Sequence, residues 1–141
     1  MPFEDEIPPY EDLQEPLPEL DALVRAVIGA AIEVHRHLGP GLPEEPYQVA
    51  MELELSARGI PYERQKPVNI SYKGIIVGRG KIDLLVAGRL VVELKSVESL
   101  APVHRLQTRT YMRIVHEVLD LLINFNVPML KHGVRRVIET H

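Results

Sequence analysis

Two acidic residues and a lysine near the middle of the sequence have the types and spacing of a metal site. Asp83 lies ten residues before Glu93, and Lys95 follows Glu93 by two residues. The segments on both sides of Gly88 are apolar and β-branched, which is typical of a buried hairpin. Because side chains alternate between the two faces of a strand, Glu93 and Lys95 are expected to point to the same side.

The length of the hairpin turn decides whether Asp83 joins that pair. A three-residue turn would pair Val86 with Leu90, and would therefore place Asp83 opposite Glu93. Directly opposed residues have Cβ atoms about 4.5–5.5 Å apart, and two carboxylates that close repel unless positive charge lies between them. A divalent cation together with the Lys95 ammonium would supply that charge. A two-residue turn would instead send Asp83 to the opposite face.

An exposed Glu93–Lys95 pair on a surface hairpin is the alternative interpretation, because the pattern Asp…Glu-x-Lys is short and common. Two features favour a metal-binding or catalytic role over a surface ion pair. The Glu-x-Lys lies within the run Leu-Val-Val-Glu-Leu-Lys, which is apolar enough for a central strand. Three charged groups on one face of such a hairpin are also costly to bury unless they share a function.

The length and composition indicate one intracellular domain. The 141 residues are enough for a substantial core. The absence of cysteine excludes disulfides and thiolate metal sites, and it fits an intracellular setting. No apolar run approaches the roughly 18–20 residues that span a bilayer, and the N-terminus lacks a signal-peptide pattern. We therefore expect a cytoplasmic protein without a membrane partner.

The net charge of −4 is unevenly distributed along the chain. Residues 1–20 contain seven acidic residues, five prolines and no lysine or arginine, which predicts an acidic, proline-rich and disordered tail. The predicted domain, residues 21–141, has the remaining 16 basic and 13 acidic residues, and so a charge of +3. This mild charge permits nucleic-acid binding through a local patch but does not by itself indicate it.

Hydrophobic periodicity predicts helices packed on a sheet. The predicted helices run from Leu23 to Leu38 with Asp21 as the N-cap, from about Glu44 to Arg58, and from Pro102 to about His116. Segments 61–65 and 68–72 are predicted to form one strand or two short ones. Further strands are predicted within 75–77, on both sides of Gly88, and over 118–124 and 133–138. This order predicts an α/β fold with a mixed central sheet of about four to six strands flanked by helices.

Three polar residues on the predicted helices are further candidates for the site. Glu44 begins the second helix, where it is either an acid favoured by the helix dipole or another site carboxylate, and Glu45 competes for both roles. Gln107 and Tyr111 share a face of the third helix by their i, i+4 spacing. They form either a half-buried pair or a clamp beside the metal site.

A stripe of arginines lies on another face of the third helix. Arg105, Arg109 and Arg113 are spaced by four residues and lie about 200° from Gln107, at about 100° per residue. Such a stripe is most often a solvated face. Alternatively it contacts phosphates, and with Lys131, Arg135 and Arg136 it forms the strongest basic surface in the sequence. The six histidines have no zinc-site spacing.

Several separated motifs resemble those of a known family. In order, they are Gly41-Leu-Pro-Glu44-Glu-Pro-Tyr47, Val92–Lys95 and Leu122–Phe125. Over about residues 21–139, these motifs resemble the GxxExxY proteins, a branch of the PD-(D/E)XK nuclease superfamily. The resemblance implies a restriction-endonuclease-like core, in which helices flank a mixed sheet.

The resemblance also implies roles for single residues. Asp83, Glu93 and Lys95 match the signature acids and lysine, and Glu44 matches the acid of the first motif. The QxxxY element of exonuclease-like branches is matched by Gln107 and Tyr111.

These roles predict a Mg²⁺- or Mn²⁺-dependent nuclease that hydrolyses phosphodiester bonds in DNA, with RNA not excluded. Asp83, Glu93 and the Leu94 carbonyl would bind the metal through oxygen atoms, and Glu44 would hold a second metal or a water on it. Lys95 would position the attacking water or stabilise charge on the phosphorane. Gln107 and Tyr111 would orient Lys95 or the phosphate.

The competing hypothesis is a non-catalytic module of the same fold that binds nucleic acid or a protein partner. The complete set of Asp83, Glu93 and Lys95 argues against this hypothesis, because a protein without activity has no need of a lysine buried between carboxylates. The small positive charge of the domain argues for it. The sequence leaves a homodimer open.

Overall fold

The computed structural model describes residues 17–115 and 119–138, which form three α-helices and five β-strands. The helices are α1 (Leu17–Leu38), α2 (Glu44–Ala57) and α3 (Pro102–Val115). The strands are β1 (Tyr62–Tyr72), β2 (Ile75–Val86), β3 (Leu90–Lys95), β4 (Leu119–Asn124) and β5 (Val134–Ile138). A short 3-10 helix, Leu130–Gly133, precedes β5.

The five strands form one mixed sheet in the order β1-β2-β3-β4-β5. All neighbouring strands are antiparallel except β3 and β4, which are parallel. Parallel neighbours need a long crossover connection, usually a helix, and α3 lies in that connection. The predicted α/β fold with a mixed sheet flanked by helices is confirmed, and it is consistent with a restriction-endonuclease-like core.

Hydrophobic cores cover both faces of the central strands. On one face, alternate residues of β2, β3 and β4 pack against α1 and α2, as Leu84, Val92 and Leu121 do. On the other face, Val91 packs with residues of α3, including Tyr111. Because β3 is covered on both sides, its sequence is almost continuously apolar, and its charged residues can reach water only near the end of the strand.

The first helix begins earlier than the sequence predicts. The prediction of an N-cap at Asp21 is wrong, because α1 starts at Leu17 and the Asp21 carboxylate instead pairs with Arg25 one turn later, at 2.7 Å. Leu20 is buried in the core beside the helix. The last four residues of the predicted tail are therefore helical, and residues 1–16 lie outside the described part of the chain.

The predicted turn at Lys73-Gly74 is confirmed, and it joins two long strands. Segments 61–65 and 68–72, predicted as one strand or two, form the single strand β1 of 11 residues. The strand predicted at 75–77 and the strand of Asp83 form the single strand β2 of 12 residues. Both turn residues have left-handed backbone angles, with φ of 51° at Lys73 and 81° at Gly74.

Within residues 17–115 and 119–138, no helix has both the length and the apolar character needed to cross a bilayer.

Candidate active site

The turn between β2 and β3 has the predicted length of three residues. Val86 pairs with Leu90, so the register brings Asp83 and Glu93 to adjacent positions on the two strands. The ladder of backbone pairs ends just before these two residues. Asp83 and Glu93 therefore lie at the end of the ladder, close enough for their carboxyl groups to interact directly.

Side chains replace the missing ladder bonds around Asp83. Its Oδ2 atom accepts a hydrogen bond of 2.8 Å from the backbone N–H of Leu94. Its backbone carbonyl accepts a hydrogen bond of 3.0 Å from Nε2 of Gln48, on α2. Buried backbone groups need such partners, so these two bonds hold Asp83 in place at the end of the β2–β3 ladder.

A local irregularity in β1 interrupts its pairing with β2 at Asp83. The register of β1 with β2 passes from Arg64–Leu84 to Lys66–Ile82. Gln65, which would lie opposite Asp83, has a left-handed φ of 46°. A non-glycine residue rarely adopts this conformation, and here it interrupts the pairing of β1 with β2 at the acidic residue.

A chain of hydrogen bonds connects α2 to the hairpin at the same place. Besides contacting Asp83, Nε2 of Gln48 donates to Oε2 of Glu52 at 2.8 Å. The Glu52 carboxylate accepts two bonds from Nε of Arg64, at 3.0 and 3.1 Å. Gln48 is buried, and the sequence analysis missed it. Its contact with Asp83 spans 35 residues of sequence and has no local pattern.

The Glu93 carboxyl is buried beside a second acid. Its side chain is 6% exposed, and Oε1 has no hydrogen-bond partner among the described residues. Burial and then the nearby Asp83 carboxylate raise the pKa of Glu93 to about 8, against an opposing effect of the Lys95 ammonium. A buried carboxyl with an unsatisfied oxygen and an acidic neighbour is suited to a site completed by a cation.

A third acid, Asp120, lies on the neighbouring strand β4 and interacts electrostatically with Glu93 and Asp83. It is fully buried, and neither of its carboxyl oxygens has a hydrogen-bond partner among the described residues. Burial, followed by the charges of Glu93 and Asp83, raises the pKa of Asp120 well above its ordinary value. The sequence analysis missed this residue. The available signal was a single acid within an otherwise apolar strand.

One open cavity of about 430 Å³ brings together the six residues predicted to be catalytic. They are Asp83 and Glu93, Lys95, Glu44 at the start of α2, and Gln107 and Tyr111 on α3. Arg79, Gly80 and Lys81 of β2 complete the lining, and the sequence analysis did not assign them to the site. Their signal was the alternation of Arg79 and Lys81 with Asp83 along one strand. Glu45 faces a neighbouring cavity instead.

Gly80 allows Tyr111 to approach the sheet closely. A Cβ atom at position 80 would lie 2.8 Å from Cζ of the Tyr111 ring, closer than van der Waals contact allows. Any side chain at this position would therefore displace the ring. The tyrosine of α3 reaches the cavity because residue 80 has no side chain.

The residues of the GxxExxY motif have different structural roles. Gly41 has a φ of 99°, which favours glycine. The Tyr47 hydroxyl donates to the Gly39 carbonyl at 2.6 Å, and its ring stacks on Phe125 at 4.5 Å between centroids. These two residues shape the loop before α2, and of the three motif residues only Glu44 lines the cavity.

The arginine stripe of α3 does not face the cavity. Arg105 is 6% exposed, so the interpretation of the stripe as a solvated face is wrong at this position. Arg109 is half-buried and Arg113 is exposed. None of the three lines the cavity that contains Asp83. Contact of these arginines with nucleic acid stays a prediction.

The acids fit a metal ion that is only partly coordinated by the protein. Among the described residues, no three acidic or histidine side chains come together as a ready-made metal site. Mg²⁺ commonly binds one or two carboxylates together with waters and substrate phosphates. The mutually repelling pair of Asp83 and Glu93, with the unsatisfied Oε1 of Glu93, matches that arrangement. Binding of a metal by Glu44 and by the Leu94 carbonyl stays a prediction.

Residues 21–137 match the family model of the PD-(D/E)XK nuclease superfamily. The chain belongs to this superfamily. PD-(D/E)XK nucleases typically use divalent metals, and membership suggests a nuclease function with a nucleic-acid substrate. Searches among the curated proteins and among the solved structures found no match.

Proposed function

We propose that this PD-(D/E)XK protein is a Mg²⁺- or Mn²⁺-dependent nuclease of the GxxExxY type that hydrolyses phosphodiester bonds in DNA. The supporting observation is the convergence of Asp83, Glu93 and Lys95 on one open cavity with polar residues of α2 and α3. Two carboxylates with a cavity in front of them suit a metal, and a lysine beside them suits an anionic substrate.

Asp83 and Glu93 would bind the metal ion with the carbonyl oxygen of Leu94, and Glu44 would hold a second ion. The ion would supply a Lewis acid that withdraws electron density from the scissile phosphate. Asp83 is prepared for this role, because its Oδ2 is fixed by the Leu94 N–H while its Oδ1 is not used by that bond.

The lysine and the α3 residues would act on the phosphate itself. The Lys95 ammonium would donate hydrogen bonds to a non-bridging oxygen, or position the attacking water, as negative charge develops on the phosphorus centre. Gln107 and the Tyr111 hydroxyl line the same cavity and would orient the phosphate. Fixed donors of this kind stabilise a transition state more than the bound substrate.

Cleavage and binding assays on matched variants test the proposal. Supercoiled, duplex, single-stranded and branched DNA are incubated with Mn²⁺ and wild type, Lys95→Ala or Glu93→Ala. Arg36→Ala is the control, because Arg36 is exposed on α1 and does not line the cavity. We expect Lys95→Ala to abolish cleavage with nearly unchanged DNA affinity, and Arg36→Ala to cut like wild type. If wild type cuts none of these substrates above the Glu93→Ala background, the protein is a non-catalytic binding module.

A further inference from the structure

The distal half of the β1–β2 hairpin projects from the domain. Val68 is the last buried residue of β1, and every residue from Asn69 to Val77 is exposed. Because successive residues of a strand point to opposite faces, this exposure means that residues 17–115 and 119–138 cover neither face of this distal half. We refer to residues 69–81 as the arm.

The arm carries positive charge and no negative charge, in a chain whose net charge is −4. Its charged residues are Lys73, Arg79 and Lys81. Arg79 and Lys81 line the cavity at the base of the arm. Lys73 lies at the tip, with its Nζ 5.3 Å from the centre of the Tyr72 ring. No ion pair with an acid occupies any of the three among the described residues. Positively charged side chains therefore lie along the arm from the cavity to the tip.

The tip of the arm is also unusually apolar. The four large apolar side chains that surround the Lys73-Gly74 turn are all exposed, and they are Tyr72, Ile75, Ile76 and Val77. Contiguous exposed apolar side chains usually mark a binding surface. An apolar tip on a cationic two-stranded ribbon combines phosphate contacts with a group that can enter a groove.

We propose that the arm binds duplex DNA, with its cations on the phosphates and its apolar tip in a groove. This inference rests on the proposed function, because the cavity at the base of the arm is the proposed site of hydrolysis. A two-stranded β-ribbon fits the major groove of B-DNA, which is about 12 Å wide. The deep, narrow major groove of A-form RNA does not admit it. Single-strand binding generally uses several stacking aromatic residues, and Tyr72 is the one aromatic residue in the arm.

The length of the arm predicts where its tip contacts the duplex. From Asp83 to Ile75, β2 advances eight residues, which is about 26 Å at roughly 3.3 Å per residue. That distance corresponds to about eight base pairs of B-DNA at roughly 3.4 Å per base pair. With the arm parallel to the duplex axis, the tip would contact DNA about eight base pairs from the bond at the cavity.

Equilibrium binding, measured without cleavage, tests the arm separately from catalysis. Fluorescence anisotropy in EDTA would follow a labelled duplex of about 24 base pairs, roughly three times the predicted reach. The arm variants are Lys73→Glu and the double variant Ile75→Ser/Ile76→Ser. The controls are Arg36→Glu, which reverses an exposed cation on α1 outside the cavity and the basic surface, and Leu53→Ser. Leu53 on α2 is 68% exposed, the same fraction as Ile75.

We expect each arm variant to weaken duplex binding by about tenfold, a loss typical of one good DNA contact. The controls should bind within about twofold of wild type, a difference of roughly 0.4 kcal/mol. All four variants should keep the wild-type melting temperature, because the substituted side chains are exposed. Unchanged affinity in both arm variants would overturn the proposal.

Other outcomes identify a different occupant of the arm. If single-stranded DNA binds as tightly as duplex and loses as much affinity in the arm variants, the assignment to duplex is wrong. If the arm variants change the oligomeric state in light scattering but not the DNA affinity, a second copy of the chain covers the arm. Arm-dependent binding without any cleavage by wild type would instead contradict the proposed nuclease function and leave the arm proposal standing.

Site-directed cross-linking locates the tip on the duplex. The chain has no cysteine, so Ser71→Cys introduces a single thiol near the tip. Duplexes with a thiol tether at successive positions should cross-link most efficiently about eight base pairs from the cleaved bond. Equal cross-linking at every position would overturn the predicted placement.

Discussion

The backbone N–H of Leu94 donates a hydrogen bond to Oδ2 of Asp83 across the end of the β2–β3 ladder, at 2.8 Å. The Asp83 carboxylate thus accepts a hydrogen bond from a backbone N–H of the neighbouring strand β3, in the residue next to Glu93. One carboxylate is thereby fixed beside the other before any cation binds. In the metal-free protein the two carboxyl groups can therefore ionise together only at the cost of mutual repulsion, and several measurable properties follow from this.

Divalent metal should stabilise the wild-type protein. Binding to the native state raises the melting temperature by mass action, and a metal concentration ten times the Kd adds about 1.4 kcal/mol, or a few degrees for a domain of this size. Asp83→Asn should remove most of this response, because it replaces a carboxylate ligand by a neutral amide. Above about pH 8, where Glu93 is ionised, it should also stabilise the metal-free protein slightly, since it removes a repulsion.

Asp21→Asn is the matched control for the metal response, because Asp21 forms an ion pair with Arg25 and does not line the cavity. Melting curves with and without Mg²⁺ or Mn²⁺ measure the shift in all three proteins. Equal shifts in wild type and Asp83→Asn would mean that the ion binds elsewhere.

The stability of the metal-free protein should fall as pH rises through the neutral range. The pKa of Glu93 is about 8 in the native state, against an ordinary value of 4.5. Between these values the folded protein therefore binds more protons than the unfolded chain, so its free energy of unfolding decreases with increasing pH. The effect of Glu93 is complete above about pH 8 and amounts to a few kcal/mol. Urea denaturation in EDTA at a series of pH values measures it.

Glu93→Gln should reduce this pH dependence, because glutamine does not titrate. Metal affinity should rise with pH over the same window in the wild type, since the metal competes with the proton on Glu93. Parallel stability curves for wild type and Glu93→Gln would contradict the raised pKa of this carboxyl.

Asp120→Asn should stabilise the metal-free protein at neutral pH. Burial and the two nearby acids raise the pKa of Asp120 in the native state, so folding above its ordinary pKa of 3.8 requires proton uptake. Asparagine has nearly the same shape and needs no proton. The variant should match wild type near pH 4 and become increasingly more stable than wild type as the pH rises to 7. A variant less stable than wild type at pH 7 would show that the Asp120 carboxyl is needed in charged form.

Gly80→Ala should impair cleavage by displacing Tyr111. A Cβ at position 80 would lie within 2.8 Å of the ring, whereas a Cβ at Gly78 would lie 3.8 Å from its nearest neighbour. Gly78→Ala is therefore the matched control on the same strand. We expect a loss of at least tenfold in cleavage rate for Gly80→Ala, about 1.4 kcal/mol, with little change for Gly78→Ala. Similar rates for both alanine variants would mean that the position of Tyr111 is not important for the reaction.

Local sequence patterns were sufficient to predict the hairpin that presents the central acids. The apolar runs on both sides of Gly88 gave the β2–β3 pairing, and the three-residue turn gave the relation between Asp83 and Glu93. The motif resemblance added Glu44, Gln107 and Tyr111 to the candidates, and the structure brings all of them to one cavity.

Features that depend on contacts between distant segments were not predictable in the same way. Gln48 reaches the Asp83 carbonyl across the fold, and Gln65 adopts a left-handed conformation without being a glycine or asparagine. The sequence did not reveal that α1 begins before Asp21, because the proline-rich composition of that segment suggested a disordered tail. Yet Leu20 packs in the core, and a proline is tolerated in a first helical turn.

The exposed turn at Lys73-Gly74 divides the components of the site between two parts of the chain. The part before the turn contains Glu44 and Gln48, and the part after it contains Asp83 and the remaining cavity residues. Ten residue pairs join β1 to β2 across this division. A nuclease expressed as two fragments split at the turn would have its acids complete only when the fragments reassociate. The hairpin is thus a natural place at which to make DNA cleavage conditional on the meeting of two polypeptides.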